Sequence, residues 1–410
     1  MPELFQVVTT AEANARLAGH MSTPGRVEMV PIDAALDRVL AEDLYSPCNL
    51  PAFPRSTMDG FAVRAADTHG ASEGLPAYLT LCGETPMGRP PDLTVGPGQA
   101  IRIHTGGMLP AGSDAVVMVE HTQALDATML EVVRPVAAGE NVIPVGEDVR
   151  AGDLLFARGH RLRPQDLGGL AGVGVIAVPV MARPRVAILA SGDEVVPADA
   201  TPGPAQVRDI NSHTIAALVR RHGGEPSMCG IARDDAAELE RMARAALERA
   251  DALIISAGSS VSTRDMTATV IASLGAPGIL VHGVAIHPGK PTILAVADGR
   301  PVFGLPGNPV STMIAFELFV VPALRRLLGV VSGDVFVVQA RLSRNIASRP
   351  GREDYVPIRL EQREDGLWAD PVFGKSNLIY TMAHADGLVQ VPLDLAGLYA
   401  GELVTVWRFV

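Results

Sequence analysis

The hydrophobic rhythm of the chain changes three times. Residues 3–19 place apolar side chains at roughly helical spacing and predict an N-terminal helix. From about 27 to 180 the apolar runs are short, at 100–103, 115–119, 130–133 and 175–180. Gly, Pro and Asp turns separate them, which predicts β-rich or α+β units. Between 183 and 330 the pattern alternates. "RVAILAS" (185–191), "EPSMCGIAR" (225–233) and "DALIISAG" (251–258) read as buried strands, with helices at 211–223, 234–250 and 265–275. Asn211 or Ser212 is expected to cap the first of these helices. Strands at 279–286, 292–297 and 301–305 follow, with Asp298-Gly299 as a tight hairpin turn. A closing helix runs from Pro309 to Leu328 and stops at Gly329. Such alternation predicts a doubly wound α/β domain. The tail, 331–410, returns to short strands and turns, as in a small β-barrel or sandwich.

Composition narrows the class. A chain of 410 residues is too long for one core and predicts two to four domains. With 48% hydrophobic and 19% charged residues it is built to fold compactly. A formal charge of −11 argues against nucleic acid or an anionic membrane as partner, yet leaves room for a small anion held by a few local cations. Cys48, Cys82 and Cys229 form no CxxC and no even framework, which reads as free thiols in a reducing compartment. The first residues lack the basic start and apolar centre of a secretory signal, and nowhere do 18 apolar residues run together. The expectation is a cytoplasmic protein.

In an open α/β sheet, ligands bind beyond the carboxyl ends of the strands. The segments expected there are "SGDE" (191–194), "RDD" (233–235), "SAGSSVSTRD" (256–265), "HPGKP" (287–291) and "LPGNP" (305–309). Asn308 can cap the closing helix, and Pro309 at its first position forfeits no hydrogen bond. The next N–H groups and the Ser311 hydroxyl are then expected to face the rim. Lys290, on a Pro-Gly turn, would add a charge-assisted hydrogen bond of about 1.5–3 kcal/mol to an anion. The same residues would equally make a plain N-cap beside a surface lysine. Gly258 and Ser259 open a loop suited to phosphate or a flat polar ring, although such loops also cap helices without binding anything. Asp193, Glu194 and Asp265 are expected close enough to repel unless a cation such as Mg²⁺ joins them. Taken singly, Asp234 and Asp265 read as acidic N-caps. No GxxxxGK[ST], HExxH, GxSxG or strand-following GxGxxG occurs, which removes P-loop, zinc-protease, hydrolase-triad and dinucleotide readings.

Six segments in one order complete the picture. "PRSTMDGFAVR" (54–64), "RIHTGGMLPAGSDAVVMVE" (102–120), "VGEDVRAGDLL" (145–155), "RVAILASGDEVV" (185–196), "HPGKP" and "GLPGNPVS" (304–311) together resemble the molybdopterin molybdenumtransferases, the MoeA and gephyrin E-domain family. The resemblance spans about 5–408. It implies a multidomain α/β plus β fold: a central doubly wound, molybdopterin-binding-like domain from 1–26 and 178–330, a β-rich domain from 27–45 and 147–177, an α+β domain over 46–146, and a C-terminal β-barrel over 331–410. It implies Mg²⁺-dependent insertion of molybdate into adenylylated molybdopterin, with release of AMP. It places the oxyanion among Lys290, Ser311, Arg352 and Ser376, with Pro306 and Pro309 shaping the corner and Gly258 and Ser259 cradling the substrate. Asp59, Thr105, Asp148, Glu194, Asp234 and Asp265 become catalytic candidates, with Glu194 and Asp265 as metal ligands, in a homodimer. Where bacterial members carry two further lysines, this chain has Gly283 and His287; the family's "GGVSVG" reads "GSSVST", and Met266 replaces an aromatic. A tungstate-preferring homologue, or a molybdopterin-binding scaffold without catalysis, is the alternative.

Overall fold

The computed structural model of the chain describes residues 8–22, 25–257, 261–330 and 336–409. At its centre lies a six-stranded sheet in the order Glu225–Ala232, Arg185–Ser191, Ala252–Ala257, Arg300–Pro306, Ile293–Ala297, Pro277–His282. The first four strands are parallel, Ile293–Ala297 runs opposite to them, and Pro277–His282 pairs antiparallel with that strand. Both faces are covered, which is why the strands read as unbroken apolar runs rather than alternating ones. Helix Asn211–Arg221 and the closing helices bury Ile215, Phe316 and Leu324 against one face. Helices Ala236–Leu247 and Val261–Ser273 bury Leu239, Ala243 and Ile271 against the other. The Asp298-Gly299 turn has φ of 50° and 83°, the left-handed pair a two-residue hairpin needs.

The N-terminal helix runs Thr10–His20, with the Thr9 hydroxyl accepting the Glu12 N–H at 3.2 Å. Its buried Ala13 and Leu17 join the same core as the closing helix. That closing helix is not uniform. Pro309–Ala315 and Val321–Leu327 are α-helical and Phe316–Val320 between them is a π turn. Pro322 has no N–H to give the Leu318 carbonyl four residues back. Asn14 Nδ2 of the N-terminal helix donates to that carbonyl instead, at 2.9 Å.

Residues Val27–Pro31 pair antiparallel with Ala177–Met181, and Leu44–Tyr45 with Leu154–Phe156, so the chain closes one unit after a long excursion. The excursion forms a second six-stranded sheet, ordered Ala115–Met118, Gly60–Val63, Gln99–Ile103, Ala77–Glu84, Met129–Val132, Thr122–Ala124. An α+β unit is expected over 46–146, but its described helices are short 3-10 turns at Ala65–Thr68 and Val119–His121. The α-helix lies in the other unit, at Pro164–Gly172, where Pro164 opens it and the Asp166 carboxylate accepts the Arg163 N–H at 2.8 Å. The tail is a barrel. Val337–Leu342, Gly366–Pro371, Glu353–Arg363, Gly387–Val391 and Leu403–Arg408 pair in a closed ring of five strands. A parallel pairing of Ile286–His287 with Glu353 and Asp354 fastens this barrel to the central domain.

Candidate functional site

The proline-framed corner after Arg300–Pro306 forms one wall of a pocket of about 220 Å³. The opposite wall is the turn His287 to Pro291, and Ser376 of the barrel domain closes the third side. Gly289 turns there at φ 117°, a left-handed value that favours glycine. Exposed Lys290 and buried Ser311 both line the cavity, as do Pro306 and Asn308. Pro309 is buried at the first helical position.

Asn308 precedes the helix, yet its side chain makes no cap. Its amide reaches across to the Ser376 hydroxyl at 3.0 Å. The Val310 N–H, expected to face the rim, donates to the Ser376 carbonyl at 3.1 Å. Thr312 takes over inside the corner, donating its hydroxyl to the carbonyls of Pro306 and Asn308. The corner thus clasps the barrel, and Ser376 is held at the pocket by two hydrogen bonds.

Arg352 does not line this pocket. It immediately precedes the strand Glu353–Arg363, and the buried carboxylate of Asp354 draws it in: Nε is 2.8 Å from Oδ1 and Nη2 is 3.1 Å from Oδ2. His287, across the strand pair, places Nδ1 3.5 Å from the same Oδ1. Partial desolvation of an imidazole that stays 57% exposed, together with the Arg352 charge, pushes the His287 pKa down, against the pull of Asp354.

The strand order reverses between Arg185–Ser191 and Ala252–Ala257, so the ligand crevice of an α/β sheet is expected at their carboxyl ends. Asn211, read as a helix cap, is instead buried there, and Ile210 precedes the helix. The Asp209 carboxylate accepts the Ser212 N–H at 2.9 Å. Asn211 Nδ2 donates to the Ser256 hydroxyl and the Gly307 carbonyl, both at 2.8 Å, which ties the crevice to the corner. Gly258 and Ser259 lie outside the described residues.

Glu194 is exposed in the loop after Ser191, and Asp234 is exposed with its N–H 3.2 Å from Asp193 Oδ1. Asp235, not Asp234, caps the next helix, accepting the Glu238 N–H at 2.7 Å. Asp265 is exposed inside Val261–Ser273 rather than at its cap, because that helix begins four residues earlier. Among the described residues no three His, Cys, Asp or Glu side chains converge as a metal cage. The expected crowding of Asp193, Glu194 and Asp265 is therefore not seen there.

Asp59 and Thr105 come together in the second sheet domain. The Asp59 carboxylate accepts the Thr105 N–H at 2.7 Å and its hydroxyl at 3.1 Å, and these bonds, with His104 nearby, hold its pKa below the usual range. Asp148 is exposed in a loop, its N–H bonded to the Leu50 carbonyl at 3.1 Å. Among the described residues, no hydrogen bond or ion pair joins these three to the pocket. A larger cavity, about 650 Å³, lies beside the edge strand Glu225–Ala232, but Arg185, Glu225 and Arg249 place it toward the amino ends of the strands. That is the wrong end for an α/β ligand site. Sequence reasoning missed Asp354 and the bridging role of Asn211. The one available signal was the opposite charge of Arg352 and Asp354, two residues apart at the start of the strand Glu353–Arg363.

Comparison with known proteins covers the whole frame. Residues 8–174 match the MoeA N-terminal region (domain I and II), 187–326 a family described as "Probable molybdopterin binding domain", and 339–409 the MoeA C-terminal region (domain IV). The molybdopterin molybdenumtransferase of Nostoc sp. is 35% identical over 97% of this chain and 92% of its own. That of Bacillus subtilis is 32% identical over 94% of this chain and 91% of its own. A crystal structure of the molybdopterin biosynthesis MoeA protein from Pyrococcus horikoshii superposes with a TM-score of 0.84 at 38% identity, covering 98% of this chain and 99% of that one.

Proposed function

Since the chain belongs to the MoeA family of molybdopterin molybdenumtransferases, we propose that it inserts molybdate into adenylylated molybdopterin with release of AMP. The observation that carries this reading is the pocket where Lys290, Ser311 and Ser376 meet. It offers one cation and two hydroxyl donors in a space with ample room for a tetrahedral oxyanion, and it adjoins the crevice at the strand-order reversal. Asn211 joins the two. Lys290 would neutralise the anion, and the Ser311 and Ser376 hydroxyls would fix its orientation.

Magnesium fits the donor chemistry of this rim. It binds through one or two carboxylates, keeps several waters and takes further oxygens from substrate phosphates. Exposed Glu194 and Asp265 supply carboxylates of that kind without forming a closed cage. The ion would neutralise charge on the phosphates as the adenylate leaves. Asp59 and Thr105 would serve the site of a partner copy in a homodimer.

Incubation with adenylylated molybdopterin, Mg²⁺ and molybdate or tungstate, followed by measurement of AMP, tests the reading. AMP release that needs both the oxyanion and Mg²⁺ is the expected result. Binding of molybdopterin with no AMP under any condition would make the chain a scaffold instead.

A further inference from the structure

The oxyanion pocket of the reading above has an unusual neighbour. Two basic side chains converge on one oxygen: Arg352 Nε lies 2.8 Å and His287 Nδ1 3.5 Å from Oδ1 of Asp354. That carboxylate is 4% exposed. Neither Arg352 Nε nor Asp354 Oδ1 completes a well-directed hydrogen bond. A buried acceptor without a properly aimed donor is costly, so the present partnership is unfinished. His287 also lines the oxyanion pocket, whereas Arg352 does not.

Resting on the oxyanion-pocket assignment, we propose that Asp354 Oδ1 is a shared anchor. Arg352 holds it while His287 is neutral. When an oxyanion enters, His287 takes up a proton, pairs with Asp354 and releases Arg352 toward the pocket.

The charges around His287 support the sequence. Asp354 on the adjacent barrel strand and Arg352 just before that strand stand beside it, and Lys290 lies on its own turn. Glu353 is committed elsewhere, accepting the hydroxyls of Thr10 and Tyr355. Arg352 already pairs the single carboxylate, and with partial desolvation it disfavours a second cation there, which agrees with the lowered pKa of His287. A dianion in the pocket reverses the balance, because it attracts the imidazolium and gives the displaced guanidinium a new partner. Ligand and proton are then linked. Oxyanion affinity rises as pH falls, by up to about tenfold per pH unit, between the imidazole's low value in the empty protein and its raised value in the complex. Above both values the dependence flattens.

Calorimetric titration of the full chain with molybdate tests this, across the pH range in which molybdate stays a monomeric dianion and in buffers of different ionisation enthalpy. The wild type is expected to take up close to one proton per oxyanion. His287→Gln is expected to take up none and to bind with an affinity independent of pH. Asp354→Asn, which frees Arg352, is expected to bind more tightly than wild type at high pH. Should that variant fail to fold, His287→Gln still decides the matter. Wild-type binding without proton uptake, or uptake that persists in His287→Gln, overturns the shared anchor while leaving the pocket standing. A wild type that binds no molybdate at any pH overturns the pocket assignment itself.

Discussion

Lys290 sits on a turn that leaves it little freedom to be replaced from elsewhere, since Gly289 before it occupies a left-handed conformation and Pro291 after it has a fixed φ. Lys290→Ala removes a charge-assisted contact worth about 1.5–3 kcal/mol, so molybdate affinity should fall roughly ten- to over a hundredfold. Ser311→Ala removes a neutral donor worth about 0.5–1.5 kcal/mol, and the loss should be nearer two- to tenfold. Calorimetric titration with molybdate measures both, and adenylate affinity should change little in either variant. Equal, negligible effects would move the oxyanion out of this pocket. At this scale the sequence was readable where backbone chemistry decides, as with the glycine and prolines of the two turns. It was unreadable where a tertiary partner decides. Arg352 is pulled aside by Asp354, and Asn211 and Asn308, both good caps by type, spend their amides on Ser256, Gly307 and Ser376 instead.

Among the elements, the buried strands were legible because covered sheets demand continuous apolar runs. Helix starts were less so, as Asp235 and Asp265 show. The short helix Pro164–Gly172 gives a sharp test of how such a start is held. Burial pushes the Asp166 carboxyl up, but hydrogen bonds from Arg163 and His160 outweigh it and bring its pKa to about 2. A carboxyl whose folded value lies below its unfolded value stabilises the fold above the unfolded value, and loses that contribution as pH falls toward the folded one. Asp166→Asn should therefore destabilise by about 2 kcal/mol near neutral pH, with the gap to wild type narrowing as pH drops from about 4 toward about 2. Urea unfolding of the two proteins at matched pH measures it, and a gap constant with pH would assign the cost to packing. At the corner, Asn308→Ala breaks the bond to Ser376 and should cost about 0.5–1.5 kcal/mol, read as a lower melting temperature without loss of the barrel's strand signal in circular dichroism.

At the scale of the whole molecule, Asp59, Thr105 and Asp148 make no hydrogen bond or ion pair with the pocket of their own chain among the described residues. In a homodimer whose cleft lies between the central domain of one copy and the second sheet domain of the other, each site would draw on two chains. Asp59→Asn and Asp265→Asn should then each be inactive alone, while a reassembled mixed dimer holds one intact site and regains AMP release. Mixed dimers that stay inactive would place the whole site within one chain. The discontinuous threading has a further consequence, in time rather than space. Asn14 bonds to Leu318, 304 residues later, and Ala13 and Leu17 share a core with Val281, Val284, Leu294 and that same late helix. At about 5–20 residues per second of synthesis, the first helix waits roughly 15–60 s for its partners. The sheet domains between them have their strands complete well before then. A helix made before the sheet domains is thus secured after them, and the nascent chain must carry its apolar face exposed while those domains are made.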